Sequence, residues 1–292
     1  MRLERYLMLA VVAISTIACN EETLHVADPA PSAMIEQFDG LISFSYGPEI
    51  FPKSWLDAPF HQTAKPIDPS QKDRARAIIA RALRKYPAAL IEETLNKPSI
   101  YALGGLKVYR RLQFGGTASQ NAVYIVVLDE SKGYTDKFLE SVFHQEYSTL
   151  LMNRYLEHLD MKAWKAINPK GFEYLGPNSW DRLRSLDGGA KAIDSKGKTN
   201  LLAGNRTLLE QGFLVKYSTS SLENDVNGYV AALFANTPGF WTNVDKHQTV
   251  RRKTDLTIEF YHRINPVFTK EYFRSIPRVT SVRRQRAKKT KN

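Results

Sequence analysis

The segment His144-Gln145-Glu146-Tyr147-Ser148-Thr149 contains the side chain whose chemistry most needs a reason. At helical spacing Glu146 falls on the same stripe as Leu139, Val142, Phe143 and Leu150, so a carboxylate is directed toward the core side. Burying such a group is costly unless it is paired, hydrogen-bonded or protonated, and a functional role is one reason to carry it. Gln145 and Thr149 stand four positions apart and share a helix face, with Cβ atoms about 6 Å apart. Both can hydrogen-bond Glu146 or each other and satisfy a buried polar cluster. His144 adjoins this face but projects about 100° away from Gln145. The next histidine on the same helix, His158, lies fourteen residues on. That separation is about 21 Å along a helix, whereas ligands of one zinc ion sit about 2 Å from the metal. The two cannot share an ion, and both read as surface or boundary residues. No Ser/His/Asp or Cys/His arrangement stands out for nucleophilic catalysis.

These side chains need a long helix, and the apolar period predicts one from about Thr135 to His158. Before it, Ala75, Ile78, Ile79, Ala82 and Leu83 predict a helix over Asp73 to Tyr86, ended by Pro87. Three β-rich runs, Ser99 to Leu103, Val108 to Phe114 and Ala122 to Leu128, predict strands, with Gly104-Gly105 and Gly115-Gly116 as turns between them. A long loop is expected from Asn168 to Lys198, then helices over Leu201 to Val215, Leu222 to Phe234 and Asp245 to Arg263. The expected class is α+β, in one domain without internal repeats.

The N-terminus reads as an export signal. Arg2 and Arg5 precede an apolar run, Tyr6 to Ile17, that ends in Ser15-Thr16-Ile17-Ala18-Cys19. About a dozen apolar residues are too few for a stable membrane-spanning helix, which needs about 20. Cys19 is the only cysteine, and its place after Ala18 resembles the lipobox of bacterial lipoproteins, with Thr16 where an aliphatic residue is usual. The resemblance implies lipidation of Cys19 and membrane attachment, and Asn20 in place of Asp favours the outer membrane. An acylated Cys19 leaves no thiol, so a metal would need His, Asp or Glu. The segments expected are a signal peptide over 1–18, a lipidated tether over 19–33 with Pro29 and Pro31, a folded domain over 34–282 and a basic tail over 283–292.

With 292 residues, 43% hydrophobic and 24% charged, the composition is that of a globular protein. Much of its net charge of +11 resides in the tail, in Arg283, Arg284, Arg286, Lys288, Lys289 and Lys291. Such a block reads as a solvated end, and no nucleic-acid partner is expected from it.

In order along the chain, Gln145-Glu146-Tyr147-Ser148-Thr149, Ile167-Asn168-Pro169 with Tyr174 and Trp180, Gly212-Phe213 with Tyr217, and Asn224-Asp225-Val226-Asn227-Gly228 form a series. This series resembles the zinc-binding metallopeptidase lipoproteins encoded beside TonB-dependent nutrient importers, members of the zincin group. Their corresponding motifs are His-Glu-Phe-x-His, Ile-x-Pro…Tyr…Trp, Gly-Phe-x-x-x-Tyr and Glu-Asp-Phe-Ala-Glu. The resemblance covers roughly residues 75–270. It implies a zincin-like fold: a small mixed sheet, an active-site helix and a helical C-terminal half. In HExxH chemistry two imidazoles four residues apart hold Zn²⁺, the adjacent Glu takes a proton from metal-bound water, and a downstream acid completes the ligands.

By that resemblance the catalytic positions are Glu146 and Tyr217, the latter matching a tyrosine that steadies the oxyanion. The ligand positions are Gln145, Thr149 and Gly228, and none of the three carries the family's ligand. Zinc, the family's cofactor, is therefore not expected, and with it zinc-dependent hydrolysis. Asp225, one turn before Gly228, can approach Gln145, Glu146 and Thr149 as part of a weak Mg²⁺ or Ca²⁺ site. The strand Ala122 to Leu128 is expected to offer its edge to an extended peptide. The implied role is a non-catalytic accessory of an outer-membrane import system, with an importer and its surface lipoprotein as partners and a peptide or glycan ligand. The alternatives are a peptide hydrolase with rearranged ligands around Glu146 and a purely structural envelope protein.

Overall fold

The computed structural model describes residues 36–58, 60–109, 112–174, 206–237 and 239–277. The signal segment, Cys19, the tether, Trp180, most of the expected loop and the basic tail lie outside the described residues. The fold is α+β, with a small mixed sheet under a helical layer.

That sheet has four strands: β1 (Ile42–Ser43), β3 (Ile100–Leu103), β7 (Val123–Val126) and β6 (Gly116–Ala118), in the order β1-β3-β7-β6. β3 runs parallel to both β1 and β7, in register Ile100↔Val123 through Leu103↔Val126, and β6 runs antiparallel to β7 with Thr117 opposite Tyr124. Every residue of β7 is buried, as expected of a strand covered on both faces. A second, antiparallel sheet joins β2 (Thr63–Lys65), β4 (Gly105–Val108) and β5 (Leu112–Gln113). The single strand expected over Val108 to Phe114 is instead β4, a reversal through Tyr109 at φ 54°, and β5. Gly116 likewise opens β6 rather than serving as a turn residue.

The long helix, α4 (Asp136–Arg154), follows α1 (Lys53–Leu56), α2 (Lys72–Leu83) and α3 (Ala88–Thr94). Thr135 caps it by accepting the Phe138 amide at 3.2 Å, Asp136 complements the first turn and Arg154 the last. It ends at Arg154 with Tyr155 as its cap, and a 3₁₀ turn over Leu156–His158 completes the run expected to be helical. α4 packs on β6 and β7 on one side, and on α2 and α7 (Leu222–Phe234) on the others. Leu139, Phe143, Tyr147, Leu150 and Leu151 are fully buried in that position, each side chain contributing about 1.5–3 kcal/mol of hydrophobic stabilisation.

α5 (Met161–Ile167) and α6 (Arg206–Glu210) precede α7, and α8 (Phe240–Lys246), α9 (Gln248–Ile264) and α10 (Lys270–Ser275) follow it. α7 spans the residues expected, with Ser221 as its cap. Two other expectations are corrected. The helix placed over Leu201 to Val215 is described only from Arg206 and ends at Glu210, where Gly212 turns the chain at φ 81°. The helix placed over Asp245 to Arg263 is two helices, broken by extended backbone at His247. No described helix is long and apolar enough to cross a membrane.

Candidate functional site

The face of α4 that meets α7 and β6 brings together Glu146, Thr149 and Tyr217. Thr149 is buried, and its Oγ1 donates to Glu223 Oε1 at 2.8 Å while accepting from Asn227 Nδ2 at 2.8 Å. Glu223 and Asn227 both come from α7 and clasp the hydroxyl from one side. Asn227 Oδ1 has no partner among the described residues. Tyr217 enters from the 3₁₀ turn Lys216–Thr219 that precedes α7.

Burial pushes the Glu146 carboxyl up to about 8, and the negative charge of Glu223 adds to the shift. Near neutral pH this side chain carries a proton and can donate a hydrogen bond. The Tyr217 hydroxyl is pushed up to about 12 by burial, then by the charges of Glu146 and Glu223. The result is a neutral carboxyl and a neutral phenol facing one carboxylate.

Gly116 positions the lower wall. A methyl group there would stand 2.8 Å from Glu146 Cγ, 2.8 Å from Val142 Cγ1 and 3.0 Å from Glu146 Oε1. Only glycine lets β6 lie this close to the carboxyl. Its strand is the edge of the sheet, which corrects the expectation for Ala122 to Leu128: β7 is interior, flanked by β3 and β6. The Val126 amide donates to Gly115 O and the Ser119 amide to Ala122 O, both at 2.8 Å. With antiparallel alternation, Gly115, Thr117 and Ser119 bond inward to β7, so the backbone groups of Gly116 and Ala118, both buried residues, face away from β7.

Gln145 sits beside Glu146 on α4, partly exposed. Gly228 lies on α7 where a Cβ would be 3.2 Å from Ser218 Oγ, a buried hydroxyl with no partner among the described residues. The amide, the hydroxyl already engaged by two partners and the glycine do not supply the nitrogen and carboxylate donors that zinc takes. Among the described residues no group of three or more His, Cys, Asp or Glu is placed to hold a metal ion.

Asp225 does not join the site. Its Oδ2 accepts from Lys253 Nζ at 2.6 Å, Trp164 Nε1 at 2.9 Å and Tyr174 OH at 2.8 Å, on the other side of α7. The oxygen set proposed for it with Gln145, Glu146 and Thr149 is thereby corrected. His144 is corrected as well. Instead of a boundary position it has no exposure at all, with Nδ1 2.9 Å from Tyr86 OH and its ring stacked on Phe234. Burial lowers it to about 4, so it is neutral. Nε2 stands 3.8 Å from Glu140 Oε1. Glu140 is fully buried and pairs with Arg81 Nε at 2.6 Å and with Lys85 Nζ. Burial alone would raise its carboxyl, but His144, Lys85 and Arg81 together hold it well below the usual range. His158 is partly exposed and stacks on Tyr155.

Glu223, Asn227 and Gly116 were not singled out from the sequence. Glu223 carried only the signal of an acid in the first turn of a capped helix, and Gly116 that of a turn residue. No protein-family model, no curated protein and no solved structure matches the chain.

Proposed function

We propose that this chain is a zincin-like lipoprotein of the bacterial envelope, attached through Cys19, that binds an extended peptide without zinc and serves an outer-membrane nutrient-import system. The observation that carries the binding role is the edge strand β6 lying against Glu146, with room for no side chain at Gly116. An incoming strand would pair with the backbone groups of Gly116 and Ala118, and the protonated Glu146 carboxyl would offer it a hydrogen-bond donor. The order of motifs shared with the metallopeptidase lipoproteins supports the zincin reading, and the residues at the ligand positions support the loss of zinc. Attachment and import context rest on the N-terminal signal and that resemblance.

The test uses fluorescent extended peptides with the mature chain and with Ala118→Pro. Proline removes an edge-facing amide and spares the inward ladder of β6. The reading expects the variant to stay folded and lose at least about tenfold in affinity, the equivalent of about 1.4 kcal/mol. Equal binding by a folded variant contradicts it.

One observation favours a second reading, a metal-free peptide hydrolase. Glu146 held neutral beside the Glu223 carboxylate, with Tyr217 adjacent, has the acid and base components of general acid-base catalysis. Peptide turnover that Glu146→Gln abolishes in metal-depleted buffer would select this reading over binding alone.

A further inference from the structure

On the far side of α7 from Glu146, Lys253 and Asp225 form an ion pair in which neither side chain has any exposure. Lys253 Nζ lies 4.1 Å from the centroid of the Phe213 ring and 5.3 Å from that of Trp164, so apolar rings enclose the pair. The hydrogen bonding of the carboxylate is one-sided. Oδ2 receives Lys253, Trp164 and Tyr174, while Oδ1 is buried with no partner among the described residues. A buried ion pair with one unsatisfied oxygen is a poor stabilising device, because desolvation of both charges offsets their attraction. Nothing in the peptide-binding reading uses it.

We propose that Lys253 and Asp225 condense to an intramolecular amide, a covalent bond between α7 and α9 formed with loss of one water. The arrangement supplies each requirement. Transfer of one proton from the ammonium to the carboxylate gives the free amine and the acid, and burial favours these neutral forms on both partners. The Lys253 nitrogen attacks Asp225 Cγ, and the developing negative charge falls on Oδ2, where the Trp164 N–H and the Tyr174 O–H already point. The acid proton, received on Oδ2 from the ammonium, passes to Oδ1 as the C–N bond forms, and Oδ1, which no described residue holds, departs as water with that proton and one proton from nitrogen. One C–N bond forms, one C–O bond breaks, and no oxidant or other reactant enters. Fixed proximity gives the reaction the advantage of an intramolecular step. The amide carries no charge, so condensation removes the buried ion pair altogether.

The test is a tryptic digest of the purified full chain, analysed by mass spectrometry. Acylated Lys253 resists trypsin, so condensation yields peptide Tyr217–Lys246 joined to Lys253–Arg263, at their summed mass less one water. Asp225→Asn should give the same branched product with loss of ammonia instead, and Lys253→Arg should give none. Tyr174→Phe, which removes one of two donors to Oδ2, should slow its accumulation roughly a hundred-fold in freshly folded protein. A folded chain that releases Tyr217–Lys246 as a free linear peptide after prolonged incubation overturns the proposal. So does a branched product of the same yield in Lys253→Arg.

Discussion

Replacing Glu146 with glutamine should stabilise the protein, increasingly so as pH rises. The side chain keeps its size and its donor, and only the ability to ionise is lost. In the folded chain the carboxyl is pushed from 4.5 up to about 8, by burial first and by Glu223 second. An acid raised on folding gives its stabilisation below the unfolded value, and that stabilisation is lost as pH climbs toward the folded value. Each tenfold change in proton affinity is worth about 1.4 kcal/mol. At pH 7 the wild type is therefore penalised by about 3 kcal/mol relative to glutamine, and at pH 5 by less than about 1 kcal/mol. Urea unfolding of both proteins at pH 5, 6, 7 and 8 reads the difference directly. Comparing them at each pH cancels the contribution of every other group, His144 included. Parallel stability curves, or a glutamine variant that loses stability as pH rises, would refute the burial argument.

Gly116→Ala should cost about 1–3 kcal/mol by overpacking against Val142 and Glu146, read as a lower thermal midpoint, and should weaken peptide binding by lifting β6 away from the carboxyl. Thr149→Val removes the hydroxyl between Glu223 and Asn227; water can replace it at the exposed Glu223, but the buried Asn227 amide loses its acceptor, which should cost about 1 kcal/mol in urea unfolding. His144 is lowered on folding from 6.5 to about 4, so the stability it supports is present above 6.5 and lost as pH falls through about 4. NMR of the imidazole should find it neutral at pH 5.5, and a protonated ring there would contradict its burial.

The sequence made the framework legible where one period dominates. Leu222–Phe234 follows a serine cap and is apolar and buried throughout residues 229–234, so its bounds read directly. The strand Val123–Val126 is apolar throughout because both its faces are covered. The rest depended on tertiary context. α4 is enclosed on several sides, so reading a single apolar stripe misplaced His144 and overlooked Glu140, both fully buried. The open edge belonged to the three-residue strand Gly116–Ala118, too short for a periodic signal and introduced by a glycine that read as a turn. Of the candidate site, Glu146, Thr149 and Tyr217 were found in advance. Glu223 and Asn227 were not, since only the packing of α7 on α4 brings them to Thr149. Asp225 was misplaced because, on α7, it faces away from Thr149 toward Lys253.

In the proposed peptide-binding role the site works without zinc, and metal content tests that role most directly. The mature chain, equilibrated with zinc and then freed of loosely held ions, should retain far less than one zinc per molecule, with Glu146→Gln indistinguishable from wild type. One tightly held zinc per chain, together with peptide cleavage that Glu146→Gln abolishes, would contradict the account.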